Sequence, residues 1–489
     1  MNLRIKPLED ILASAERKSL HRTLGPFQLM MLGVGAVIGT GIFVLTSSAA
    51  QLAGPGMMVS FIIAGIVCAV CALCYAELAS MVPVSGSAYT YSYAVMGELA
   101  AWVVGWALML EYAVAASAVS VGWSNYFVGV MQRAFGWHLP LELTKGYFAG
   151  GFINIPAVVI ALLVTTLLYI GTRESAWVNT ALVVIKIVAL TVFCVLALPV
   201  IQMENFHPFT PLGYMPVGNA AATIFFAYVG FDAVSTAAEE TKNPQRNVPI
   251  GLIGSLVLCT IFYLLVAAGA IGSVGAQPIM VNGVGLTPGS AEFVTACKLA
   301  ANAGTLACSD EALAHVLAVI GWTKIANLIG LAAFLALPSV ILMMLFGQTR
   351  IFFVMSRDGL LPPALSKVHA RFKTPHVVTA LTGCCVTVAA AFFPVGQLAN
   401  ISNSGTLLAF GTVAVVVMVL RIRDPDRKRS FRTPLIWVTG PVAVAGCAAL
   451  FWLLTGAAKQ VFLVWGCIGL VVYFLYGYRK SHLANGTQA

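Results

Sequence analysis

Charge is what this 489-residue chain has least of: 9% of its residues are Asp, Glu, Lys or Arg, against about 25% in a soluble domain. With 60% hydrophobic residues and a mean hydropathy of +0.92, that shortage excludes water as the main solvent. The segment Met1 to Pro26 lacks an apolar core and a small-residue cleavage site, so no secretory signal is read there. No histidine falls in the middle of an apolar run: His21, His138, His207, His315, His369, His376 and His482 lie near ends or loops. A histidine proton relay is therefore not expected.

Enzyme chemistry is equally thin. There is no nucleophile elbow, phosphate-cradling loop or metal-ligand spacing, and no cofactor is expected. Cys68-x-x-Cys71-x-x-Cys74 looks like part of an iron–sulfur run, but it lies in a hydrophobic helix that cannot wrap a cluster. Packing is the better reading. The net charge of +9 matters less as a hint of nucleic acid, which is not expected as a partner, than for where the cations fall.

What the chain has is long apolar runs. About 20 apolar residues cross a hydrocarbon core roughly 30 Å thick. Runs separated by Gly, Pro or charge fall at Phe27–Leu52, Gly56–Val82, Leu99–Met131, Phe152–Gly171, Ala176–Val200, Pro216–Ala238, Pro249–Ile271, Gly321–Phe346, His376–Phe393, Leu398–Leu420, Pro434–Leu454 and Val461–Tyr476. The reading is an all-α integral membrane protein with twelve transmembrane helices. If the N-terminus is inside, inner segments hold 21 of the 27 Lys and Arg residues and outer segments hold 4. That bias predicts both termini in the cytoplasm, at the inner (plasma) membrane of the cell. The dense basic cluster Arg421, Arg423, Arg427, Lys428, Arg429 and Arg432 reads first as a topology signal and second as a site for anionic membrane lipids.

Two runs look broken. Gly39-Thr40-Gly41-Ile42-Phe43 sits mid-run in the first, where each Gly lowers helix propensity by about 1 kcal/mol relative to Ala. The sixth carries Phe225-Phe226-Ala227-Tyr228-Val229-Gly230-Phe231-Asp232 at comparable depth. Unwound backbone survives at membrane depth only where it is buried or lines a cavity. Interrupted segments at corresponding places in two halves point to a transporter's binding site. Halves of five spans each make the repeat inverted, because five is odd. Close helix packing is the competing explanation for the glycines.

The residues at the first break resemble a known signature. Val34-Gly35-Ala36-Val37-Ile38-Gly39-Thr40-Gly41-Ile42-Phe43 is similar to the first-helix motif of the amino acid/polyamine/organocation superfamily. Three further motifs agree: Tyr75-Ala76-Glu77-Leu78-Ala79 with Pro83-x-Ser85-Gly86-Ser87-Ala88-Tyr89; Phe231-Asp232 leading to Glu239-Glu240-x-Lys242-Asn243-Pro244-x-Arg246-Asn247-x-Pro249; and Gln348-Thr349-Arg350 with Met355-Ser356-Arg357-Asp358-Gly359. Together they look most like the bacterial cationic amino acid transporter subgroup, over about residues 20 to 475.

The resemblance implies a leucine-transporter-like 5+5 inverted repeat plus two C-terminal helices. Its segments are 1–26 (inner N-terminal segment), 27–200 (first repeat), 201–215 (outer connection) and 216–421 (second repeat, with a long outer segment at 272–319). Residues 422–477 form the basic inner loop and last helices, and 478–489 the inner tail. It also implies an amino acid carrier working by alternating access. The substrate carboxylate would meet backbone amides around Thr40 and Gly41, beside Ile38 and Gly39, and carbonyls of Val37, Phe226, Ala227 and Val229 would take the ammonium. A polyamine or cationic amino acid exchanger is the alternative, and a channel or receptor lies further off.

Glu111, Lys186 and Asp232 lie deep in apolar runs, where each costs roughly 2.5 to 3.5 kcal/mol near the bilayer centre. In similar sodium-independent carriers, a lysine at the place of Lys186 stands in for a cation by reaching toward the unwound first span. Lys186 and Glu111 are therefore expected to respond to protonation in a proton-coupled or exchange cycle, and Asp232 to gate the site or recognise substrate. Structural ion pairing is the competing account, and Glu77, near a span end, is expected to be structural. In the outer segment, a helix is expected at Ala291 to Ala303, and Cys297 and Cys308 have the option of pairing outside the cell. The sequence leaves open whether a small accessory subunit joins the protein.

Overall fold

The computed structural model describes residues 4–5, 24–82, 87–171, 176–238, 241–299, 304–372 and 374–483. Pro83, Ser85, Gly86, Glu239 and Glu240 of the motifs lie outside the described residues, as do most of the N-terminal segment and the end of the tail. Helices dominate, and among the described residues the one sheet is a two-stranded hairpin, Met280–Val281 with Val284–Gly285.

The first apolar run is broken where its glycines predict. Helix α1 (Pro26–Val37) stops, Ile38 turns to an extended conformation, and Gly39 leads into a short turn of helix, α2 (Thr40–Phe43), and then α3 (Leu45–Ala53). Pro26 fits the first turn of α1 because a missing N–H costs nothing there. Gly54, at φ +60°, and Pro55 turn the chain into α4 (Met57–Met81). A short α5 (Ser87–Val95) precedes α6 (Glu98–Phe135), whose 38 residues reach about 57 Å at 1.5 Å each. This is longer than the expected Leu99–Met131, since Glu98 and Arg133 suit the two ends of the helix dipole. Then follow α7 (Ile155–Ile170) and α8 (Ala176–Ala197).

The sixth run is interrupted too. Helix α9 (Met215–Ile224) tightens into a 3-10 turn at Phe225–Tyr228, goes extended at Val229, and turns through Gly230 at φ +114° before α10 (Ala233–Thr236). Long helices return with α11 (Pro244–Val274). The segment at 272–319 holds the hairpin, α12 (Ala291–Cys297) and α13 (Ala312–Val319). The helix expected at Ala291–Ala303 ends at Cys297, where the Cys297–Cys308 disulfide turns the chain back; residues 300–303 lie outside the described residues. The chain finishes with α14 (Thr323–Arg357), α15 (His376–Phe392), α16 (Val395–Arg423), α17 (Ile436–Leu453) and α18 (Gly456–Val472).

Among the described residues, eight helical stretches are long and apolar enough to cross a membrane, and three shorter apolar helices accompany them. Their outer faces expose Ile66, Leu163, Val195, Leu335 and Leu463. Such faces are the normal solvent contact of a protein dissolved in lipid. The core runs along α6, which α14, α16 and α15 pack against. Helix α18 is docked there by a reciprocal pair: Trp106 Nε1 donates to the Trp465 carbonyl at 2.7 Å and Trp465 Nε1 to the Trp106 carbonyl at 2.8 Å, with the rings stacked. Cys68, Cys71 and Cys74 are buried in α4, Cys71 Sγ lying 3.5 Å from Cys447 Sγ.

Glu77 joins several helix ends. It is fully buried and accepts two bonds from Arg421 at 2.8 Å and one from the Thr433 amide at 2.7 Å, with Arg429 Nε at 3.2 Å. Arg423 donates to the Val95 carbonyl and Arg427 to Asp424. These four members of the basic cluster are engaged by the protein itself.

Candidate functional site

The two interrupted segments touch each other. A Cβ added to Gly41 would lie 2.3 Å from Ala227 Cα, and one added to Gly230 would lie 3.0 Å from the Ala36 carbonyl carbon. Only glycine permits that approach. Two further helices wall the first break. Gly122 of α6 backs onto Thr40, so that an added Cβ would fall 2.5 Å from Thr40 Cγ2, and Gly39 faces Val340 of α14 at ordinary contact distance. Thr40 and Gly41 thus sit where α6, the sixth-run break and α14 converge.

A broken helix leaves amides and carbonyls without their usual partners, and side chains answer some of them. Tyr126 Oη donates to the Phe43 carbonyl at 2.8 Å. Asn403 Nδ2 of α16 donates to the carbonyls of Ala222 at 2.7 Å and Thr223 at 3.2 Å, in the last turn of α9. Tyr263 Oη of α11 lies 2.9 Å from the Val37 carbonyl oxygen and 2.8 Å from that of Ala227. Thr40 Oγ1 is buried and makes no hydrogen bond. An orphan buried hydroxyl at a helix break is expensive unless a ligand completes it.

Lys186 is 1% exposed and donates from Nζ to the Gly35 carbonyl at 2.8 Å. It therefore touches the last turn of α1 ahead of the break. Asp232 belongs to a second group. Tyr112 Oη donates to its Oδ2 at 2.9 Å, and Glu111 lies within electrostatic reach of it and beside Thr406. The two carboxylate oxygens of Glu111 are buried without a hydrogen bond, while Ser402 Oγ donates to its main-chain carbonyl. Tyr112 and Gly122 are separated by ten residues of α6, about 15 Å of helix. The expected site residues thus divide. Val37 to Gly41, Phe226, Ala227, Val229 and Lys186 gather at the contact between the breaks, while Asp232 and Glu111 form a carboxylate pair further along α6.

Tyr263, Tyr126 and Asn403 were not anticipated. Tyr263 is, with Ser255 and Thr260, one of the few hydroxyl side chains in the apolar run of α11, and Asn400-Ile401-Ser402-Asn403-Ser404 is a polar stretch inside α16. Both patterns are visible signals of satisfied backbone. The motifs also meet in space: Tyr89 Oη donates to Asp358 Oδ2 at 2.8 Å, and the ring of Tyr75 meets that of Phe231 edge-on.

Apolar helices packed around two interrupted segments define a polytopic membrane transporter. Residues 24–474 match the model of the amino acid permease family. The branched-chain amino acid permease BcaP of Bacillus subtilis (strain 168) is 45% identical over 98% of both chains, and the methylthioribose transporter of the same organism is 42% identical over 99% of both. Cationic amino acid transporter 9, chloroplastic, of Arabidopsis thaliana is 36% identical over 88% of this chain and 72% of its own. The chain belongs to the amino acid permease family, within the superfamily that its motifs resemble.

Proposed function

We propose that the protein is a secondary active carrier that moves neutral, aliphatic amino acids across the plasma membrane by alternating access. Twelve membrane helices would be arranged as five plus five in inverted repeat (27–200 and 216–421) with two more at the C-terminus, and both termini would face the cytoplasm. One observation carries the reading: the two breaks meet at Gly41 and Ala227, with the Thr40 hydroxyl buried and unmatched beside them. Amides of the Thr40–Gly41 turn, at the start of the outer half-helix, suit a carboxylate. Carbonyls of Val37, Phe226, Ala227 and Val229 suit an ammonium.

The substrate side chain would project between α6 and α14, where Gly122 and Val340 offer no charge. The branched-chain permease at 45% identity agrees with such a wall. Lys186, bonded to the Gly35 carbonyl, would take the place of a coupling cation and make the cycle sodium-independent, by proton coupling or exchange. Glu111 would share the response to protonation, and Asp232 would gate the site or recognise substrate. The same carboxylate pair supports a second reading, a carrier of cationic amino acids or polyamines, in which one of them meets the substrate's second charge.

Uptake into proteoliposomes tests both. Leucine, isoleucine and valine should compete with one another and be driven by a proton gradient or internal amino acid without sodium. Preference for lysine, arginine or a polyamine would select the second reading, and uptake that requires sodium would remove the role of Lys186.

A further inference from the structure

Three oxygens share one proton where the breaks meet. Tyr263 is fully buried, and its phenol oxygen stands within hydrogen-bond distance of the Val37 and Ala227 carbonyls, one from each interrupted segment. A phenol has a single O–H, so it donates to one carbonyl at a time. The other contact then sets two lone-pair oxygens 2.8 or 2.9 Å apart with no proton between them. Among the described residues, neither carbonyl receives a main-chain amide across its break. The cluster is rich in acceptors and short of donors.

We infer that Tyr263 is a positioning residue that holds these two carbonyls together as an ammonium-selective subsite. It deepens the reading above and rests on it, since the carbonyls must face the substrate. An ammonium brings three N–H donors and a positive charge, and it supplies what the trio lacks. A hydroxyl of similar size brings one donor and no charge. The backbone contact at Gly41 keeps the two segments together, but the phenol is the group that both carbonyls approach, and without it their common aim is lost. They are then free to turn toward other donors, and the preorganisation is lost. Tyr228 is the natural control: its ring packs edge-on against Tyr263, but its hydroxyl donates to Phe61 instead.

The test is binding of leucine and of its 2-hydroxy acid isostere, read by competition with labelled leucine on purified wild type, Tyr263→Phe and Tyr228→Phe. The wild type should prefer leucine strongly, and Tyr263→Phe should reduce the ratio of the two affinities by about tenfold, the worth of one well-placed hydrogen bond. Tyr228→Phe should leave the ratio unchanged. A Tyr263→Phe protein that weakens both ligands equally, or keeps the wild-type ratio, overturns the inference and leaves the carrier reading standing. A wild type that binds no amino acid overturns both. If Tyr263→Phe does not fold, 4-fluorophenylalanine placed at 263 preserves the ring and its bulk, and the same ratio decides.

Discussion

At Gly41 a single methyl group decides the geometry. Its added Cβ would fall inside the contact radius of Ala227 Cα, and backbone cannot swing aside as a side-chain tip does. Gly41→Ala should therefore cut proteoliposome uptake at least tenfold while the protein stays folded in detergent. Wild-type uptake would mean that the breaks part during the cycle without cost. Lys186→Met removes the donor to the Gly35 carbonyl but keeps the bulk. It should abolish the pH dependence of uptake, and an unchanged pH profile would return Lys186 to a structural role. The glycines and Lys186 were legible in the sequence because each breaks the pattern of its apolar run. Tyr263 was not, since a tyrosine in such a run signals only that its hydroxyl finds some partner, and the partners lie on two remote segments.

Helix ends are where elements are joined. Glu77 ties α4 to α16 and to the start of α17 through Arg421, Arg429 and Thr433. Removing one member of a buried ion pair costs roughly 3–5 kcal/mol. Glu77→Gln should lower the apparent unfolding temperature in detergent by several degrees and leave substrate affinity nearly intact; an unaltered melting curve would show that the arginines find other partners. The boundaries of most helices followed from apolar runs, since lipid enforces length. The length of α12 did not, because the Cys297–Cys308 crosslink turns the chain and no periodicity encodes that. The break in the sixth run was legible from its Gly230 and Asp232, but the exact end of α9 at Ile224 was not, because Phe225 to Tyr228 read as ordinary apolar residues.

Across the whole molecule, the segment at 272–319 is bolted to the bundle. Arg133 Nη1 and Nη2 of α6 donate to Glu311 at 2.9 and 2.7 Å, and Lys145 meets Asp310 at 2.5 Å. Burial raises the Glu311 carboxyl above its ordinary value, and Arg133 pulls it down without cancelling the effect. A carboxyl that binds its proton more tightly when folded costs nothing below its unfolded value. The cost grows as pH rises to the folded value and is constant above it. The unfolding temperature should therefore fall as pH rises just above the ordinary carboxylate range, and Glu311→Gln should flatten that part of the curve. Arg133→Gln should extend the slope to higher pH, since it removes the charge that favours ionisation. A curve identical in all three proteins would place the pair outside the cooperative unit.

One side chain clasps the base of the Met280–Gly285 hairpin. Gln51 Nε2 of α3 donates to the carbonyls of Ile279 and Leu286, and its Oε1 accepts from the Ile279 amide. Every one of those partners is main chain, so the grip does not read the side chains of Met280, Val281, Asn282 and Val284, which are exposed. Substitutions along the exposed stretch Met280 to Val284 should therefore leave the clasp intact, because a glutamine that reads only main chain is indifferent to the sequence it holds.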